Sequence, residues 1–205
     1  ILYTISADVP TYLENSLSKK YIISDKIDQS LILKNDTIKI YGEKNGQEAE
    51  ITDGYVLSFN TKRHNEENVT FLADFDYNKI CNYDHIKIKY QATLVQNSSL
   101  VIGKNGNNNY AYLDYSNNPY SKTSIQTQKS QLVTVFTYGV EIKSVDKENS
   151  PLADSEFNIT NNQGEILHFK KGEEGEYYLT SSDDKDGVTN LIVNEEGKIY
   201  LKGLD

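Results

Sequence analysis

The chain has 205 residues, 30 of them acidic against 21 basic, with a formal net charge of −9. That length accommodates one or two domains, and the acidic balance excludes both the basic stripe of a nucleic-acid binder and an electrostatic draw to anionic membranes. A single cysteine, Cys81, rules out an internal disulfide, and no apolar run approaches the roughly 20 residues of a membrane-spanning helix.

Sixteen tyrosines, many Ile, Val and Thr and only 3 prolines make a β-rich composition, because such side chains suit a pleated, half-buried surface. Residues 1–10 alternate cleanly. Ile1, Tyr3, Ile5, Ala7 and Val9 share one face, and Pro10 ends the strand. The chain opens inside this pattern with no signal-peptide signature, so a section of a longer protein is expected. Residues 11–19 read as a loop or a single helical turn. The next strand, 20–27, puts Tyr21, Ile23, Asp25 and Ile27 on one face, so a carboxyl interrupts an apolar stripe. Asp25 has two readings. It caps the following turn at a strand end, where Asp is favoured, or it is a buried acid with a raised pKa, held protonated to shuttle a proton.

Residues 31–41 and 49–59 read as strands flanking a turn at 43–46, where Asn45-Gly46 is a strong hairpin signal. The run 60–68 reads as a charged loop, and 69–76 and 85–95 as further strands. Lys87 and Lys89 alternate with Ile86, Ile88 and Tyr90 and form a solvated face. An Asn-, Ser- and Gly-rich loop, 97–109, leads to a strand within residues 106–119, GNNNYAYLDYSNNP. There Asn109, Ala111, Leu113 and Tyr115 share one face, and Tyr110, Tyr112 and Asp114 the other. A single carboxamide on an otherwise apolar face costs about 1–3 kcal/mol unless it is hydrogen-bonded, so Asn109 needs a reason to be there.

Residues 116–131 read as a polar linker and 132–146 as one long strand crossing a domain boundary. The remainder forms a second β unit, with strands at 153–159, 165–169 and 175–180 and a hairpin of 189–193 with 198–201 around a turn at 194–197. The acidic loop 181–187 lacks the closing Glu of a calcium loop, since Val193 stands in that place. Strands at short spacing with turn signals, and no long helical period, give an all-β sandwich class.

Little else in the sequence carries chemistry. Cys81 and His85 are four residues apart in strand or loop, which does not bring them together, and His64, His85 and His168 are scattered. No Gly-x-Ser-x-Gly elbow or His-Glu-x-x-His motif occurs. No enzyme acting on an external substrate, cofactor or metal site is expected.

Five segments in series carry a resemblance: YTISADVP, YIISDKID, GNNNYAYLDYSNNP, VTVFTYGVEIKSVDKENSPLADSEFNI and VNEEGKIYLKGLD. Together they resemble the backbone pilins of Gram-positive, sortase-assembled pili, over nearly the whole chain and in the same order. The resemblance implies two tandem immunoglobulin-like β-sandwich domains, both truncated at the fragment ends. Residues 1–133 resemble an isopeptide-forming fimbrial domain lacking its first strand. Residues 134–205 resemble a SpaA-like, collagen-adhesin B-type domain lacking its last strands.

The resemblance further implies a structural shaft subunit, extracellular and anchored to the cell wall, joined by sortase to neighbouring pilin subunits. The alternative is a cell-wall-anchored adhesin, at the pilus tip or as an accessory protein, binding a host matrix or cell-surface ligand, with Tyr110 and Tyr112 as recognition residues. In this family a buried Lys attacks the side-chain carbonyl of a buried Asn, ammonia leaves, and a neighbouring acid shuttles the proton. By motif position Asn109 is the acceptor, with Asn107 the alternative, and Asp25 is the acid. The donor Lys falls upstream of Tyr3, outside this chain, and Lys19 and Lys20 are poor substitutes. In the second domain Ser144 stands where the family has Lys, and the adjacent candidate Lys143 falls on the outer face with Glu141.

Overall fold

The computed structural model describes residues 1–63 and 67–204. It divides into two compact units: Ile1–Thr93 with Asn108–Val133, and Leu94–Asn107 with Thr134–Asp205.

In the first unit, β1 (Leu2–Asp8), β7 (His85–Leu94), β3 (Leu31–Lys44) and β4 (Gln47–Glu50) form one sheet in the order β1–β7–β3–β4. A second sheet runs β8 (Asn107–Ser116), β2 (Tyr21–Ile27), β6 (Asn68–Phe75) and β5 (Tyr55–Lys62), and β9 (Ile125–Lys129) pairs antiparallel with β8. The inward faces are the alternating apolar residues of the sequence. Tyr21, Ile23, Phe71 and Ala73 from one sheet and Ile86, Ile88, Tyr90 and Ala92 from the other are fully buried. Phe71 meets Tyr90 edge-on at 5.2 Å, and Tyr3 stacks on Tyr90 at 5.3 Å.

Asn45 and Gly46 have φ of 51° and 76° and link the paired residues Lys44 and Gln47, the left-handed two-residue turn that a twisted hairpin favours. The strand expected over 49–59 is broken. Ile51 turns inward, Gly54 adopts a φ of 81°, and the chain resumes as β5. A single helical turn, α1 (Tyr77–Ile80), follows β6, with Asp76 accepting from the Asn78 N–H at its start. Residues 11–19 are loop. The stretch 116–131 is not all linker, because β9 forms within it. The expected long strand 132–146 is two, β10 (Val133–Val135) and β11 (Tyr138–Lys143). Thr137 separates them, buried, with its hydroxyl bonded to the Val101 carbonyl.

The second unit has one main sheet, β11–β17–β14–β13–β15, comprising β13 (His168–Lys171), β14 (Glu176–Thr180), β15 (Gly187–Val188) and β17 (Lys198–Leu204). A small sheet of β12 (Glu156–Phe157) and β16 (Leu191–Ile192) completes it. Phe169, Tyr177, Leu191, Val193, Ile199 and Leu201 are its core. The expected hairpin keeps its turn at 194–197, closed by the Gly197 N–H to the Asn194 carbonyl. Its arms diverge: β16 joins β12, while β17 pairs β11 and, in parallel, β14.

Candidate functional site

Strand β2 lies between β6 and β8, with Asp25 opposite Ala111 and Ile27 opposite Asn109. Asp25 and Asn109 are therefore diagonal neighbours on the same inward face, close enough for long side chains to interact. Both are buried, at 1% and 4% exposure. Asp25 sits mid-strand and caps no turn. That task falls to Asp28, which accepts from the Ser30 N–H at 3.3 Å.

Tyr90 reaches into this pair from the opposite sheet. Its hydroxyl donates to Asp25 Oδ2 at 3.1 Å and accepts from Asn109 Nδ2 at 2.5 Å, both bonds buried. Among the described residues, Asp25 Oδ1 and Asn109 Oδ1 have no hydrogen-bond partner. Burial pushes the Asp25 carboxyl up to about 7, against a smaller lowering by Tyr90 and Asn109. The same burial, with Asp25 nearby, raises the Tyr90 phenol well above its usual value. The site opens on a cleft of about 270 Å³ whose walls include Thr4 and Ser6 of β1 and Ser130 beyond β9. Ile1 N and O bond to Ala92, and the Val9 N–H bonds to the Asp84 carbonyl, so by antiparallel alternation the main-chain groups of Thr4 and Ser6 face away from β7. The cleft thus offers room and an open strand edge beside an amide and a carboxyl whose pKa burial raises to about 7.

No lysine among the described residues lines this cleft. Lys20 pairs with Asp74, Lys26 with Glu67, and Lys129 lies over the Tyr110 ring.

Asn107 is buried but fully engaged. Its carboxamide accepts from the Val101 N–H and donates to the carbonyls of Val101 and Val135. That arrangement holds a loop closed, whereas Asn109 leaves its carbonyl oxygen bare. Lys143 is exposed and pairs with Glu141 at 3.1 Å. Cys81 is exposed, and the His85 ring bonds to Asp8 at 2.8 Å, not to the thiol. His64 lies outside the described residues. In the acidic loop, Asp184 accepts from the Thr180 hydroxyl and the Asp186 N–H.

Sequence reasoning missed a second polar cluster, on the far face of β8. Asp114 is buried there, and Arg63 binds it with two nitrogens while also reaching Thr127 and Glu67. Glu67 in turn accepts from Lys26 and from the Tyr112 hydroxyl. Tyr112, offered above as an exposed recognition residue, is 6% exposed, its ring under the Arg63 guanidinium. Its place is in the packing.

No protein-family model matches the chain. The trypsin-resistant surface T6 protein of Streptococcus pyogenes serotype M6 is 27% identical over 181 residues, covering 80% of this chain and 33% of that protein. The solved T6 backbone pilin of the same organism superposes over 99% of this chain and 46% of its own, with a TM-score of 0.65 and 19% identity. The full-length major pilin RrgB of Streptococcus pneumoniae does so over 99% of this chain and 59% of its own, with a TM-score of 0.70 and 13% identity. The chain has the fold of the Gram-positive backbone pilins. It spans about a third of the curated pilin it matches, and the paired β-sandwich units are those of the pilin fold.

Proposed function

We propose that this chain is part of the shaft subunit of a Gram-positive surface pilus, and that its first unit closes an intramolecular amide between Asn109 and a lysine outside these 205 residues. The observation that carries the reading is the buried triplet Asp25–Tyr90–Asn109, in which Asp25 Oδ1 and Asn109 Oδ1 lack partners among the described residues, beside a cleft that all three residues help to line. A carboxyl that titrates at about 7 stays largely protonated below neutrality, so it can donate a proton within the triplet. The same apolar surroundings favour a neutral, nucleophilic lysine amine. Proximity within the fold then replaces an external enzyme. The cleft beside β1 is the route by which a strand carrying that lysine lies along the open edge.

A shaft subunit bears load along its length, and a covalent tie between terminal strands keeps them from peeling apart. In this reading the protein is extracellular and wall-anchored, and sortase joins it to neighbouring copies. The test is the intact mass of the full-length protein, which should fall below the sequence mass by about 17 Da for each ammonia displaced. Asn109→Ala should restore one such loss. Equal deficits from the sequence mass in parent and variant would refute the amide at Asn109.

A further inference from the structure

We infer that Tyr90 is a catalytic residue of the amide-forming step, relaying the proton from Asp25 to the departing nitrogen of Asn109; this rests on the crosslinking reading above. The Tyr90 hydroxyl accepts from Asn109 Nδ2, and the same oxygen is bonded to Asp25 Oδ2. It therefore stands between the acid and the leaving group. It also sets the amide's orientation, holding the NH2 end so that Oδ1 stays free of partners. The ring itself is fixed, with Tyr3 stacked parallel at 5.3 Å and Phe71 edge-on at 5.2 Å, so the hydroxyl is preorganised.

An amide NH2 leaves only when it carries away a proton. As the lysine nitrogen bonds to Asn109 Cγ, Nδ2 loses its conjugation and gains a lone pair. The Tyr90 O–H then rotates to donate to it, while protonated Asp25 donates to the Tyr90 oxygen. The bond from Cγ to Nδ2 breaks and ammonia departs. The proton shed by the attacking nitrogen goes to the Asp25 carboxylate, which restores both Asp25 and Tyr90. Atoms and charge balance, with a primary amine as the only reactant added. Burial of the phenol, which disfavours a free phenolate, fits a relay in which the hydroxyl gives and takes a proton together.

The experiment follows ammonia loss by intact mass against time and pH after refolding of the unreacted full-length protein. Tyr90→Phe keeps the ring and removes only the hydroxyl. It should slow the reaction on the order of 100-fold, a usual size for general acid–base assistance. Tyr21→Phe is the control. It removes a tyrosine hydroxyl of the same unit that bonds to the Ala7 carbonyl and not to the triplet and should react at the parental rate. A ring-fluorinated tyrosine at position 90, a more acidic phenol of nearly the same shape, should shift the pH profile of the rate. It decides the question where Tyr90→Phe fails to fold. A parental rate and profile in Tyr90→Phe, or an unshifted profile with the fluorinated residue, would overturn the relay while leaving the crosslink intact. Absence of mass loss in the parent, unchanged by Asn109→Ala, would overturn the crosslink and the relay with it.

Discussion

Asp25 is a carboxyl for which folding favours the acid form. Unfolded, it titrates near 4; in the fold, burial raises it to about 7. Between these values the native state holds a proton that the unfolded chain has released, so this residue's contribution to stability falls as pH rises from about 4 to 7 and is level above. Three units correspond to a cost of up to about 4 kcal/mol at neutral pH in the uncrosslinked chain. Asp25→Asn removes the titration and retains an oxygen for the Tyr90 hydroxyl. The variant should match the parent at pH 4 and exceed it increasingly up to pH 7.5, as read from urea midpoints of the 205-residue chain. A gap that stays constant across that range would show that Asp25 ionises as freely in the fold as outside it. The same shift would suit Asp25 to the proposed chemistry, because it keeps a protonated fraction up to about pH 7 that an ordinary Asp has lost.

At the scale of the element, β8 is the strand with most at stake, since it carries Asn109 inward and Asp114 outward. Arg63 clamps the outward face, and both members of the pair are nearly inaccessible, at 4% and 1% exposure. Removing one partner strands a buried charge, so Arg63→Met should destabilise by about 3–5 kcal/mol, measured by chemical denaturation. Arg63→Met combined with Asp114→Leu should recover most of that loss, because apolar replacement of a buried pair is often near neutral. A double variant no better than the single would place the loss in the Arg63 contacts to Glu67 and Tyr112. The inward face of β8 was legible from its alternation, as were β1, β2 and β7, since a period of two with one apolar face leaves a single register. The outward face was not. Arg63 sits in a run of charged and amide residues that reads as solvated loop, and only tertiary folding shows that it turns inward. Strand β9 was hidden for a related reason: Gln126, Gln128 and Lys129 are polar and exposed, and nothing local announces that their backbone pairs with β8.

For the molecule as a whole, the site was half legible: Asp25 and Asn109 stood out as polar residues on apolar stripes, whereas Tyr90 passed as one more aromatic on a buried face, its hydroxyl invisible to periodicity. The grouping of 94–107 with the second unit was not legible either. It depends on Val95 and Leu100 packing on Tyr178, far along the chain. What the proposed crosslink would add belongs to this scale, because an amide from an upstream lysine to Asn109 would close a loop of more than roughly a hundred residues, for which the disulfide analogy gives about 5 kcal/mol of unfolded-state constraint. In the full-length protein that corresponds to a melting shift on the order of 10–20 °C for the unit that contains it. Asn109→Ala alone confounds the bond with lost packing, so the comparison needs Asp25→Asn at pH 4.5, where that substitution costs little by itself yet should block the reaction. Both variants should melt lower than the parent in calorimetry, Asn109→Ala by at least as much as Asp25→Asn, and a thiol reductant should change none of the three, since an amide has no sulfur to reduce. Equal melting of crosslinked and uncrosslinked protein would show that the unfolded chain was already constrained, and that the tie resists force without adding equilibrium stability.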